Sequence, residues 1–126
     1  MFHLAIPIHD IEKIKTFYQS LGLGIGRESA QFVIINFFGH QVVCHLDADE
    51  VVEKPKMYPR HFGWILDDES DYVEILENAQ QNQLKFFKED FRRYLNEPAE
   101  HRSFFLQDPS NNLIEFKWYK NKDRVF

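Results

Sequence analysis

A single cysteine, Cys44, leaves this chain without an intramolecular disulfide and without the thiolates of a Cys-rich zinc site. That fits a reducing compartment, and the expected address is the cytoplasm. Long hydrophobic runs are missing too. The longest apolar stretch, Phe32 to Phe38, is too short to cross a bilayer and contains Asn36. No basic region precedes the first apolar run, which Pro7, His9 and Asp10 interrupt, so no signal peptide is expected. Basic runs are absent as well: 15 Lys plus Arg stand against 20 Asp plus Glu, a formal charge of −5. A net acidic domain is a poor nucleic-acid binder on electrostatic grounds. What remains is an ordinary globular balance, 44% hydrophobic and 28% charged, in a chain of 126 residues, about one domain. Thirteen Phe point to a bulky core or an aromatic-lined cavity.

The chain reads as alternating strands and helices. Phe2 to Ile8 is short, apolar and β-prone. Asp10 is an N-cap for a helix whose stripe is Ile11, Ile14, Phe17, Tyr18 and Leu21, and Gly22, Gly24 and Gly26 end it. Gln31 to Phe38 and Gln41 to Leu46 are strands around a turn at Gly39-His40. The polar stretch 48–59 is a linker. The second half starts over with a strand at His61 to Leu66 and a helical stripe of Tyr72, Val73, Ile75, Leu76 and Ala79. A short strand at Leu84 to Phe87 and a polar loop at Phe91 to Glu100 follow. Arg102 to Leu106 and Leu113 to Tyr119 are strands joined by the turn sequence Asp108-Pro109-Ser110-Asn111-Asn112. Lys120 to Phe126 is a polar end.

A shift of 58 residues lays His3 on His61, Asp10 on Asp68 and Phe17 on Ile75. Each half is then βα followed by about three strands, and one copy has a sheet face it cannot cover alone. The expected fold is α+β: two paired βαβββ modules, about 1–47 and 60–119, forming a curved mixed sheet around a cleft with the helices outside.

Six histidines raise the question of a metal. His3 lies in the first strand, His61 opens its repeat partner, and Glu115 interrupts an apolar strand. A carboxylate facing a dry core needs a partner, and a divalent metal would be one. Two imidazoles and a carboxylate with open positions suit Fe(II), and also Mn, Ni, Zn or Co. The alternative is that His3 is an N-terminal residue and Glu115 faces solvent on an edge strand. Alternation puts Gln41, Val43 and His45 on one strand face, so His45 is either a proton carrier of the same cleft or a satisfied core histidine. His101 is a substrate contact or a rim residue. Arg92 or Arg93 could receive a substrate carboxylate, or belong to a solvated loop. Cys44, on the face opposite His45, is a small buried residue.

These segments together carry a resemblance. His3-Leu-Ala-Ile-Pro-Ile-His-Asp, Phe17-Tyr18, Leu21-Gly22, His61-Phe-Gly and Asp108-Pro-Ser-Asn-Asn-Leu-Ile-Glu115-Phe resemble the vicinal oxygen chelate superfamily, which includes glyoxalase I, bleomycin-resistance proteins, fosfomycin-resistance enzymes and extradiol dioxygenases. Where that pattern usually has Gly, this chain has Asn111, which also tolerates the left-handed conformation. The resemblance implies paired βαβββ modules and metal ligands at His3, His61 and Glu115. It implies a homodimer and a metal acting as Lewis acid on a substrate chelated through adjacent oxygens. The dioxygenase-like version puts iron first, with Mn, Ni and Zn as alternatives, and assigns proton movement to His45 or His101. The first half lacks an evident Glu ligand, which counts against a true glyoxalase I. The competing class is a metal-free binder of a small aromatic or cationic ligand, with Phe62, Trp64 and Phe105 among its stacking surfaces.

Overall fold

The computed structural model describes residues 1–126. β1 (His3–Ile8) leads into α1 (Ile11–Ser20), followed by β2 (Gly24–Glu28), β3 (Phe32–Phe37) and β4 (His40–Leu46). β5 (Phe62–Leu66), α2 (Glu69–Gln81), β6 (Phe86–Arg93), β7 (His101–Gln107) and β8 (Leu113–Tyr119) repeat that order. The two sheets share one topology, β1-β4-β3-β2 and β5-β8-β7-β6. In each, the first strand runs parallel to the last and the other neighbours are antiparallel. This is the α+β arrangement of two βαβββ motifs. No helix is long and apolar enough to cross a membrane.

The chain divides into two units: Met1–Pro55 with Asp108–Asn112, and Lys56–Gln107 with Leu113–Phe126. In the first, Asp10 caps α1 by accepting from the Lys13 amide at 3.0 Å. Gly22, at φ 85°, ends the helix, and the Leu23 amide bonds back to the Tyr18 carbonyl at 3.2 Å, as a Schellman end requires. Ile14, Phe17 and Tyr18 of α1 and Leu21 at its C-terminal cap are buried, together with Ile6, Ile8, Val33, Ile35, Val42 and Cys44 of the sheet. The turn between β7 and β8 belongs to this unit. Asp108 accepts from the Ser110 and Asn112 amides, from Asn112 Nδ2 and from the Tyr18 hydroxyl, at 2.8 to 3.0 Å. Burial pushes its carboxyl up against those four bonds, which pull the other way. Asn111 is left-handed, φ 65°, as its place in the turn predicts.

Four details depart from the sequence expectation. Gly24 and Gly26 do not end the helix but sit in edge strand β2, against Asn36 and Ile34 of β3. The hairpin turn is Phe38-Gly39, both at positive φ, with His40 already in β4. β6 runs on to Arg93, so Phe91–Arg93 are strand and not loop. An edge strand tolerates those charges, and its inner edge is paired with β7. The 58-residue shift holds for the first strand and helix of each half but not beyond, because β6, β7 and their connection are longer. Register shows the consequence: Ala5 lies opposite Val43, whereas its counterpart Gly63 lies opposite Glu115.

Candidate metal centre

The second unit builds a carboxylate–imidazole pair on the sheet face turned away from α2. The α2 side holds the core, with Tyr72 edge-on to Phe104 and Phe104 stacked on Phe116 at 5.3 Å. Alternation along β8 sends Glu115 to the other face. β8 is an inner strand, and Glu115 is 8% exposed, so it does not face solvent at an edge. Glu115 Oε2 lies 3.1 Å from His61 Nε2. The Ser103 hydroxyl donates to Glu115 Oε1, and Lys117 Nζ is 3.6 Å from that same oxygen. The close approach of β5 to β8 depends on Gly63: a Cβ there would collide with the Glu115 carbonyl, with its carbon at 2.7 Å.

The imidazole of His61 is oriented from three sides. Its Nδ1 lies 2.6 Å from the Met57 carbonyl, which can only accept, so Nδ1 carries the hydrogen and the neutral ring has its lone pair on Nε2. Tyr58 and Phe105 stand edge-on to the ring, at 5.7 and 5.2 Å. A lone pair and a carboxylate oxygen 3.1 Å apart repel unless a proton or a cation lies between them. Both groups have their outer atoms tied to a carbonyl or a hydroxyl, the usual support of metal ligands. The donor set therefore fits a divalent cation. A cavity of about 210 Å³ opens beside the pair, bounded by His61, Ile65, Glu115 and Lys117.

His3 belongs to the first unit. Its Nδ1 is 2.6 Å from Gln41 Oε1, so it presents the same tautomer as His61, with Nε2 free to accept. His45 is exposed on the same sheet face, since Gln41 pairs with His3 and His45 with Pro7. No group of three His, Cys, Asp or Glu side chains gathers for a metal ion. The chain brings His61 and Glu115 together.

The other expected site residues stand partly around this pair and partly apart from it. Phe105 shares the face of Glu115, but it is 1% exposed and packs beneath His61. Phe62 and Trp64 border the cavity, yet they pair with Ile114 and Phe116 and so alternate to the α2 side. Arg92 is on that side as well, in register with Arg102, and is taken up by Glu69 at 3.2 Å and Glu100 at 3.5 Å. His101 is on the Glu115 face but four residues along β7 from Phe105, about 13 Å away. Its Nδ1 meets the Ala99 carbonyl at 3.0 Å and its ring lies against Tyr119. Sequence reasoning missed Ser103 and Lys117. Both follow from the five-residue turn at 108–112, which sets Phe105 opposite Glu115 and Ser103 opposite Lys117.

A model of the Glyoxalase/Bleomycin resistance protein/Dioxygenase superfamily matches residues 1–116. Among solved structures, a glyoxalase/bleomycin resistance protein/dioxygenase from Alicyclobacillus acidocaldarius is 38% identical, with 100% of this chain and 96% of that one covered and a TM-score of 0.94. The fosfomycin resistance protein FosX from Listeria monocytogenes is 16% identical, covers 99% and 97%, and has a TM-score of 0.77. A lactoylglutathione lyase from Agrobacterium tumefaciens is 16% identical, covers 94% and 92%, and has a TM-score of 0.70. These last two share the fold. No curated protein matches the chain.

Proposed function

Because the chain belongs to the glyoxalase/bleomycin resistance protein/dioxygenase superfamily, we propose that it is a metal-dependent enzyme acting on a small oxygen-rich or aromatic substrate, in a dioxygenase-like reaction. His61 and Glu115 are the proposed metal ligands, with His3, of the same chain or of a second copy in a homodimer, as the third. Iron is the first metal to test, and Mn, Ni and Zn are the alternatives. The observation that carries this reading is the His61–Glu115 pair: two acceptors 3.1 Å apart, each fixed from behind. Bound there, a divalent ion would supply a Lewis acid for a substrate that chelates through adjacent oxygens.

The chain's own residues would do the rest. Ser103 holds Glu115 in one rotamer, and the Met57 carbonyl fixes the proton of His61 on Nδ1. His45, exposed on the same sheet face as His3, is the proposed proton carrier. His101, on the Glu115 face and turned to the Ala99 carbonyl, is proposed as a wall residue. In the first half, Val43 occupies the register position that Glu115 holds in the second, which favours two imidazoles and one carboxylate over a four-ligand site.

The test is oxygen uptake by iron-loaded protein supplied with an aromatic diol. Oxygen consumed in step with diol, and lost in Glu115→Gln, supports the dioxygenase-like reaction. Metal-dependent turnover of an oxygen-rich substrate without oxygen uptake would move the assignment to an isomerase or lyase. The second reading is a metal-free binder. It is favoured by the 3.1 Å contact itself, which an imidazolium at His61 would satisfy without any ion.

A further inference from the structure

The two faces of the second unit's sheet differ in how their cations are matched. On the α2 side, Arg102 is held by Asp90 at 2.7 Å and Glu69 at 2.9 Å. Arg92 is likewise held by Glu69 and Glu100. The Glu115 face is different. Lys88 stands in the cross-strand row of Glu115, through Phe105. Lys117 is one row along with Phe91, and Arg93 is two rows along, opposite His101. Three cations in register therefore share one carboxylate, Glu115, which only Lys117 touches, at 3.6 Å. Lys88 Nζ lies 4.1 Å and Arg93 Cζ 5.3 Å from the Phe91 ring centroid. Neither is paired with a carboxylate, and Glu89 falls in the bulge between Lys88 and Phe91. A positive face on a chain of net charge −5 runs against the composition. Its field would concentrate anions beside the cavity that Lys117 borders.

We infer that this face selects an anionic substrate: an oxygen pair for the site at His61 and Glu115, joined to a carboxylate or similar oxyanion received by Lys117 and Lys88. The inference rests on the proposed metal reading and names its substrate class. Adjacent rows on a strand face are about 7 Å apart. That is the span of a benzene ring from ortho oxygens to a ring carboxylate. Phe91 holds the Lys88 and Arg93 cations on that face through its ring.

The experiment is calorimetric titration of Mn(II)-loaded protein with 3,4-dihydroxybenzoate and with catechol, after measuring metal content. Wild type is expected to bind the carboxylate-bearing diol up to about fivefold more tightly, the size of an ion pair at a partly exposed site. Lys88→Met should shrink that ratio while keeping catechol affinity and bound metal, Lys117→Met should shrink it as well, and Lys117→Arg should restore it. Equal affinities in wild type, or a ratio untouched in both Met variants, would overturn the inference. If wild type binds no metal, the metal reading falls by itself. Anion selectivity is then read by NMR titration of metal-free protein with benzoate against benzamide. Preference for benzoate that is lost in Lys88→Met upholds the selectivity, and no preference overturns it.

Discussion

Gly63→Ala is the sharpest test of how the site is built. Gly63 sits opposite Glu115 in the parallel β5–β8 ladder. A Cβ there would meet the Glu115 carbonyl carbon at 2.7 Å and amide nitrogen at 3.0 Å, with the carbonyl oxygen closer still. Ordinary contact begins near 3.4 Å, so the strands must part by on the order of 1 Å. Moving an N–H···O bond that far removes most of its strength, and a residue pair in a parallel ladder is flanked by about two or three such bonds. At about 1 kcal/mol each, with some overpacking strain, the cost is about 3 kcal/mol. For a chain of this size that lowers Tm by about 12 °C. Two controls separate the collision from the loss of a glycine. Gly24→Ala meets its nearest side chain at 3.5 Å and should be near neutral. Gly39→Ala has open space but φ +84°, and should cost about 1 kcal/mol. Thermal unfolding followed by circular dichroism orders the three variants. A Gly63→Ala Tm within about 3 °C of wild type would refute the tight β5–β8 approach that places Glu115 beside His61.

Three further outcomes are expected. Ser103→Ala frees Glu115 Oε1 from its hydroxyl donor and should weaken metal binding about 10- to 100-fold while leaving the fold intact, measured by competition with a chelating dye. Asp90, partly buried, would have its carboxyl pushed up by desolvation, but the Arg102 and Tyr72 hydrogen bonds outweigh this and hold it below the ordinary 3.8. A lowered folded-state value means that the stability it contributes is present above pH 4 and is lost as pH falls through the folded value. Asp90→Asn should therefore be less stable than wild type at pH 7, and urea titrations should show the gap narrowing below pH 4. Burial, with Asp108 nearby, pushes the Cys44 thiol up to about 12. It should resist a thiol reagent such as Ellman's in the native state and react stoichiometrically in denaturant; fast native labelling would contradict the burial.

Much of this was legible because local chemistry and the global fold agree. The Asp10 cap, the α1 stripe, the Gly22 end and the turn at 108–112 are short-range signals, and each appears where it was read. β2 was missed because Gly24 and Gly26 look like helix terminators. Only their packing against β3 reveals a strand. The extent of β6 was missed because Arg92 and Arg93 look like loop. Their placement depends on partners far along the chain, Glu69 and the β7 ladder. The same holds for the site. His61 and Glu115 were readable as a histidine at a repeat start and a carboxylate in an apolar strand. Phe62 and Trp64 border the cavity, but which face of the sheet their rings take follows from the β5–β8 register, which no local pattern reports. The ion pair of Arg92 with Glu69 is hidden for a related reason, since the two lie far apart along the chain.

The central claim, that His61 and Glu115 are metal ligands, is most directly tested by metal content. Purified protein, loaded with Fe(II) or Mn(II) and passed through desalting, should retain one ion per chain by mass spectrometry. His61→Ala and Glu115→Ala should each abolish retention and still fold. Wild type that emerges free of metal, or variants that hold it as well as wild type, would contradict the account.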